Sequence, residues 1–175
     1  MKQLLTLILM VFAMNLSAQI NANVVKPELS TARSELIRSI FNELRATNTE
    51  ILDNFYTSDV VFEDPLGQIN GLAAMKSYYQ AMYKNVQDIR FEFKPDAIVG
   101  DRHLSTWVMY LRAKGLNGGK EIAVHGVSEL EFQSESTLVI YHRDYFDMGE
   151  FIYQYIPVLG GILKLVRKQL EYKPE

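Results

Sequence analysis

At 175 residues, with 48% hydrophobic and 22% charged side chains and a formal net charge of −3, the chain is sized for one globular domain with a substantial core. The mild acidity excludes the basic stripe that nucleic-acid binding needs, and no Gly-rich phosphate cradle occurs. The absence of cysteine excludes disulfides, a thiol nucleophile and thiolate metal sites.

The elements are predicted in chain order from a leader. Lys2 precedes an uncharged apolar run from Leu4 to Leu16, and Leu16-Ser17-Ala18-Gln19 places small residues before a cut. This is the pattern of a secretory signal peptide over residues 1–18, and the run is shorter than the ~20 residues of a membrane span. An exported protein, periplasmic or secreted, is therefore expected. Residues 19–29 read as a polar lead-in. Ser30 can cap a first helix in which Leu36, Ile37, Ile40, Phe41 and Leu44 recur at helical spacing. A short second helix is expected from Asn48, carrying Leu52, Phe55 and Tyr56. Val60-Val61-Phe62 reads as a brief strand that ends at the turn Asp64-Pro65-Leu66-Gly67. Gly71 to Val86 reads as a third helix, with Leu72, Met75, Tyr78, Tyr79, Met82 and Tyr83 on one stripe.

The period then changes. Ile89, Phe91 and Phe93 alternate with Arg90, Glu92 and Lys94, so one strand face is wet. Strands are expected over 104–113, 122–132 and 138–147, with a hairpin turn at Asn117-Gly118-Gly119. Helices followed by an antiparallel meander predict an α+β fold over residues 30–150, with a curved sheet wrapped against the helices. The tail, 151–175, is uncharged from Phe151 to Leu163 and interrupted by Pro157 and Gly160-Gly161. It then turns basic through Lys164, Arg167, Lys168 and Lys173. It reads as a bent helix that closes over the sheet or packs on a partner, or as an amphipathic segment on an anionic membrane surface.

Two segments carry a resemblance. Phe62-Glu63-Asp64-Pro65-Leu66-Gly67, with Gly71 and the Met75–Tyr79 helix, is one; His142-Arg143-Asp144-Tyr145-Phe146-Asp147 is the other. Over about Ser30 to Phe151 the chain resembles the cone-shaped nuclear-transport-factor-2-like superfamily. That superfamily includes ketosteroid isomerases, limonene epoxide hydrolases and SnoaL-like cyclases. The resemblance implies a conical α+β fold and places Asp64 where the isomerases hold their general base. The isomerases' oxyanion-hole Tyr and Asp fall at Ile40 or Phe41 and at Ser128. The resemblance also places Asp144 where the epoxide hydrolases hold their acid–base Asp. Those enzymes' Arg-x-Asp falls at Trp107 and Met109, and their water-holding Tyr and Asn at Phe62 and Asp64. Neither supporting set is complete, and one fold hosts many activities.

The expected site is therefore a mosaic. Asp64 and Asp144 are the candidate catalytic carboxylates, and His142 shares a strand face with Asp144 by period-two counting. Phe62, Met75, Tyr79, Trp107, Met109, Ser128 and Phe146 are the expected pocket lining, which suits a small apolar ligand. Tyr78 reads as core, His103 as a solvated turn residue, and His125 as facing away from the pocket. No metal or other cofactor is indicated, since no third ligand is spaced to join His142 and Asp144. Two functions stay open: a pocket protein with proton-transfer chemistry of isomerase, cyclase or hydrolase type, and a non-catalytic module of the cell envelope. A homodimer also stays open.

Overall fold

Pro27 opens helix α1 (Pro27–Glu43), three positions before the expected Ser30 cap. Proline fits there because the first turn has no use for its missing N–H. The computed structural model describes residues 25–170. The expected signal peptide over 1–18, the lead-in as far as 24 and the end of the tail lie outside the described residues. Ile37, Ile40 and Phe41 form the buried stripe of α1. The chain then leaves the helix through Leu44 and is tied by Asn48. The Asn48 Nδ2 donates to the Glu43 carbonyl at 2.9 Å and its Oδ1 accepts from Arg45 N at 2.6 Å. The second helix is a single 3-10 segment, Thr49–Asn54.

Tyr56 does not belong to that helix. It starts strand β1 (Tyr56–Asp64), which is much longer than the expected Val60–Phe62. The polar Thr57-Ser58-Asp59 stretch masks it in the sequence, and the pairing register shifts between Tyr56 and Val61. The Asp64–Gly67 turn leads into a short antiparallel partner, β2 (Gly67–Asn70). Helix α2 (Leu72–Tyr83) follows, then β3 (Val86–Phe93), β4 (Ala97–Val99), β5 (Arg102–Ala113), β6 (Ile122–Phe132) and β7 (Val139–Phe146).

The seven strands form one curved, unclosed sheet in the order β2-β1-β7-β6-β5-β3, with β4 also on β5. The expected meander is antiparallel through β3, β5, β6 and β7, but β7 pairs with β1 in parallel. After β2 the chain crosses to the far edge through α2 and returns strand by strand, so β7 arrives beside β1 running the same way. That pairing sets Phe62 against His142.

The main core joins Ile37, Phe41, Leu52, Phe55, Met75, Leu130 and Phe132 between the helices and the concave face. Full burial of each such side chain contributes about 1.5–3 kcal/mol. Met75, expected at the pocket wall, is wholly inside this core. His103 corrects a second expectation. Strand β5 begins at Arg102, so alternation turns His103, Ser105 and Trp107 inward. His103 is fully buried, with its ring 4.9 Å from that of Phe132, and neither ring nitrogen has a hydrogen-bond partner among the described residues.

The tail is bent, as its interruptions predict. Asp147 caps α3 (Met148–Phe151) by accepting from Gly149 N at 2.5 Å. A 3-10 turn, Tyr153–Tyr155, leads to α4 (Leu159–Leu170). Among the described residues no helix is long and apolar enough to cross a membrane.

Candidate active site

A cavity of about 310 Å³ opens between the helices and the concave face of the sheet. Its walls are Phe41 of α1, Tyr78, Tyr79 and Tyr83 of α2, Phe62, Trp107, Met109 and Phe146 of the strands, and Phe151 and Ile152 of the tail. Both candidate carboxylates, Asp64 and Asp144, line this same apolar space.

Asp144 is held by a chain of buried donors. Ser128 stands directly opposite it across the β6–β7 pair. The Ser128 hydroxyl donates to Asp144 Oδ1 at 2.5 Å, and Trp107 Nε1–H donates to Ser128 Oγ at 2.8 Å. The indole can only donate, so the serine proton is committed to the carboxylate. On the other side, His142 Nε2 lies 2.9 Å from the same Oδ1, and His142 Nδ1 lies 2.7 Å from the Tyr56 hydroxyl. Nε2 faces a carboxylate and so carries the hydrogen, which leaves Nδ1 to accept from Tyr56. Every proton of the chain Tyr56–His142–Asp144–Ser128–Trp107 points toward Asp144. Oδ2 of Asp144 accepts nothing from the described residues, and the side chain keeps 15% exposure, toward the cavity it lines. One oxygen is anchored, and the other has no partner among the described residues.

Asp64 is used differently. Its Oδ1 accepts from Leu66 N at 2.7 Å and Gly67 N at 3.1 Å, closing the turn as aspartates do after strands. Its Oδ2 accepts from the Tyr78 hydroxyl. Asp64 thus faces the cavity with both oxygens engaged.

The tyrosines are held protonated. Burial pushes the Tyr56 hydroxyl well above its ordinary value, the Asp144 charge adds to this, and Tyr79 opposes it. Burial raises Tyr79 in the same way, helped by Tyr56 and Asp144. Burial and then the hydrogen bond to Asp64 raise Tyr78. The cavity therefore presents phenol donors and a carboxylate acceptor in an apolar enclosure, an arrangement suited to proton transfer.

Of the residues singled out in the sequence, Asp64, Asp144, Phe62, Tyr79, Trp107, Met109 and Phe146 line the cavity. His142 and Ser128 lie behind Asp144, fully buried. Met75 is in the core. His125 is 70% exposed and pairs with Glu150 on the outside. Sequence reasoning missed two residues. Tyr56 reads as part of a helix, and only its parallel placement beside β7 brings it to His142. Tyr78 reads as core on its stripe, and only the turn at Asp64 gives its hydroxyl a partner. Among the described residues no group of metal-ligating side chains comes together.

A family model for the SnoaL-like domain matches residues 37–139. A comparison with curated protein sequences finds no match. Solved structures give the fold. One, named as a SnoaL-like polyketide cyclase of Shewanella denitrificans, is 20% identical with a TM-score of 0.61, over 72% of this chain and 95% of that one. An LEH-like epoxide hydrolase of M. tuberculosis is 18% identical with a TM-score of 0.58, over 79% and 97%. A protein of ketosteroid isomerase-like fold from Catenulispora acidiphila is 16% identical with a TM-score of 0.59, over 75% and 93%. The match runs from the buried stripe of α1 to the start of β7 and takes in more than half of the chain, and the cone of these structures is the one described above: the chain belongs to the SnoaL-like domain family.

Proposed function

We propose that this protein, exported to the periplasm or beyond, binds a small apolar molecule in the cavity and moves a proton on it, with Asp144 as the acid–base group. The observation that carries this reading is the division of labour at Asp144. Oδ1 is fixed by Ser128 and His142, while Oδ2 is free at the wall of an apolar cavity. A general base needs such an oxygen within reach of the proton it takes. His142 acts as a positioning residue, because it meets Asp144 on the side away from the cavity. Asp64 and Tyr78 make a second polar point on the wall, suited to orienting a polar group of the ligand.

The test is native mass spectrometry of the protein purified from its own envelope fraction, followed by deuterium uptake into the released ligand in D2O. The wild type is expected to carry a bound small molecule that gains deuterium. Met109→Trp, which fills the cavity, is expected to lose the molecule. Asp144→Asn is expected to keep it and to slow exchange by about 10²–10⁴-fold, the usual worth of a positioned acid–base group. Equal exchange in Asp144→Asn would remove Asp144 as the acid–base group, and exchange no faster than in the free molecule would leave a binding module without chemistry. A preparation with no bound molecule, or one indifferent to Met109→Trp, would remove the pocket reading as well.

A further inference from the structure

We infer that helix α4 is a docking element for an anionic membrane surface. The helix carries an apolar stripe that none of the described residues covers. Ile162 is 53% exposed, Leu165 59%, Val166 46% and Leu170 80%, and Val158 just before it is 80% exposed. At 100° per residue Ile162, Leu165, Val166 and Leu170 share one arc with Gln169, and Lys164, Arg167 and Lys168 share the neighbouring one. No acidic residue occurs in Leu159–Leu170. The helix is anchored by its other side. Gly160 packs so closely on the Gln154 backbone that a Cβ there would lie 2.3 Å from the Gln154 carbonyl oxygen. A further tie, Arg167 to Asp147 at 3.7 Å, is made between side chains that are both more than half exposed, so water screens it.

Charge selects the occupant. A stripe of apolar side chains edged by cations is the make-up of a helix that lies in the lipid headgroup boundary. A second copy of the chain fits poorly, because two-fold pairing through this stripe would bring the same three cations against one another. The cations are also segregated, in a chain whose net charge is −3. Nearby basic residues each strengthen binding to an anionic bilayer by about fivefold, so the three together account for roughly a hundredfold. This inference does not depend on the chemistry proposed for the cavity.

The lack of cysteine gives a direct test. Leu165→Cys and Val99→Cys, each in the full chain, are labelled with an environment-sensitive nitrobenzoxadiazole dye. Val99 is also exposed, but it lies on β4. The proteins are titrated with phosphatidylcholine vesicles with and without phosphatidylglycerol. The emission at position 165 is expected to shift to the blue with the anionic vesicles alone, while position 99 stays water-like. Adding K164Q, R167Q and K168Q together is expected to weaken the response by about a hundredfold. Three results would overturn the inference. One is water-like emission at 165 on anionic vesicles. Another is a shift that ignores the three substitutions. The third is a shift that grows with protein concentration without vesicles, which would assign the stripe to a second copy.

Discussion

Gly126 is where the site depends most on a missing side chain. It faces Trp107 across the β5–β6 pair, and a Cβ built on it would lie 2.1 Å from the end of the indole. The indole crosses that space to bring its N–H to Ser128. Gly126→Ala should therefore displace the ring, cost about 1–3 kcal/mol as an overpacked site, and lower Tm by about 2–4 °C for each kcal/mol. Thermal unfolding followed by the fluorescence of the single tryptophan reads both effects. His103 makes a second prediction at this scale. Burial lowers its folded-state value below the ordinary 6.5, the Asp96 charge opposes this, and Arg33 reinforces it. As pH falls below 6.5 the unfolded chain takes up the proton first. The stability is thus whole above that pH and declines as pH drops toward the folded-state value. His103→Phe should flatten this decline in denaturant titrations, with little loss of stability above it, because both ring nitrogens are unpaired among the described residues. Asp96 acts in a lower window. Burial alone would raise it, but hydrogen bonds led by Arg38 hold it below 3.8, so its contribution is lost only as pH falls beneath that value.

At the scale of elements, the sheet edge shows what period can and cannot tell. Strand β3 is legible from Ile89, Phe91 and Phe93, and it forms one edge of the sheet. Phe41 of α1 packs on Phe91 and Phe93, but the hydrogen-bonded attachment to α1 is not legible, because it runs through Asn42. The Asn42 Oδ1 accepts from Phe91 N at 2.8 Å, and its Nδ2 donates to the Phe91 carbonyl at 3.2 Å and the Arg38 carbonyl at 3.1 Å. An asparagine on a helix flank gives no signal of reaching a strand 49 positions away. Asn42→Ala should leave edge groups unpaired, cost about 1–3 kcal/mol, and speed amide hydrogen exchange at Phe91 while β6, in the sheet interior, stays protected. The same limit explains Tyr56. Its neighbours Phe55 and Leu52 continue a helical spacing, yet the strand begins at Tyr56 because β7 offers it a partner in Val139.

The whole molecule assembles its site from distant pieces: Tyr56 on β1, Trp107 on β5, Ser128 on β6, and His142 and Asp144 on β7. By itself the sequence determined the α+β class, the order of the helices and of five of the seven strands, the bend of the tail, and the shared strand face of His142 and Asp144. These follow from local periods of 3.6 and 2 and from turn residues, which act over a few positions. It also singled out both carboxylates of the cavity by resemblance, but it could not say which has a free oxygen. Tertiary structure decided that. The register of β6 on β7 sets Ser128 opposite Asp144, and the parallel seat of β1 beside β7 brings Tyr56 to His142. The Asp64 turn, closed onto Leu66 and Gly67, engages one oxygen of that carboxylate, and Tyr78 engages the other. Strand register and pairing partner are set by the packing of a whole face, and a hydrogen bond 86 residues long in sequence has no local trace.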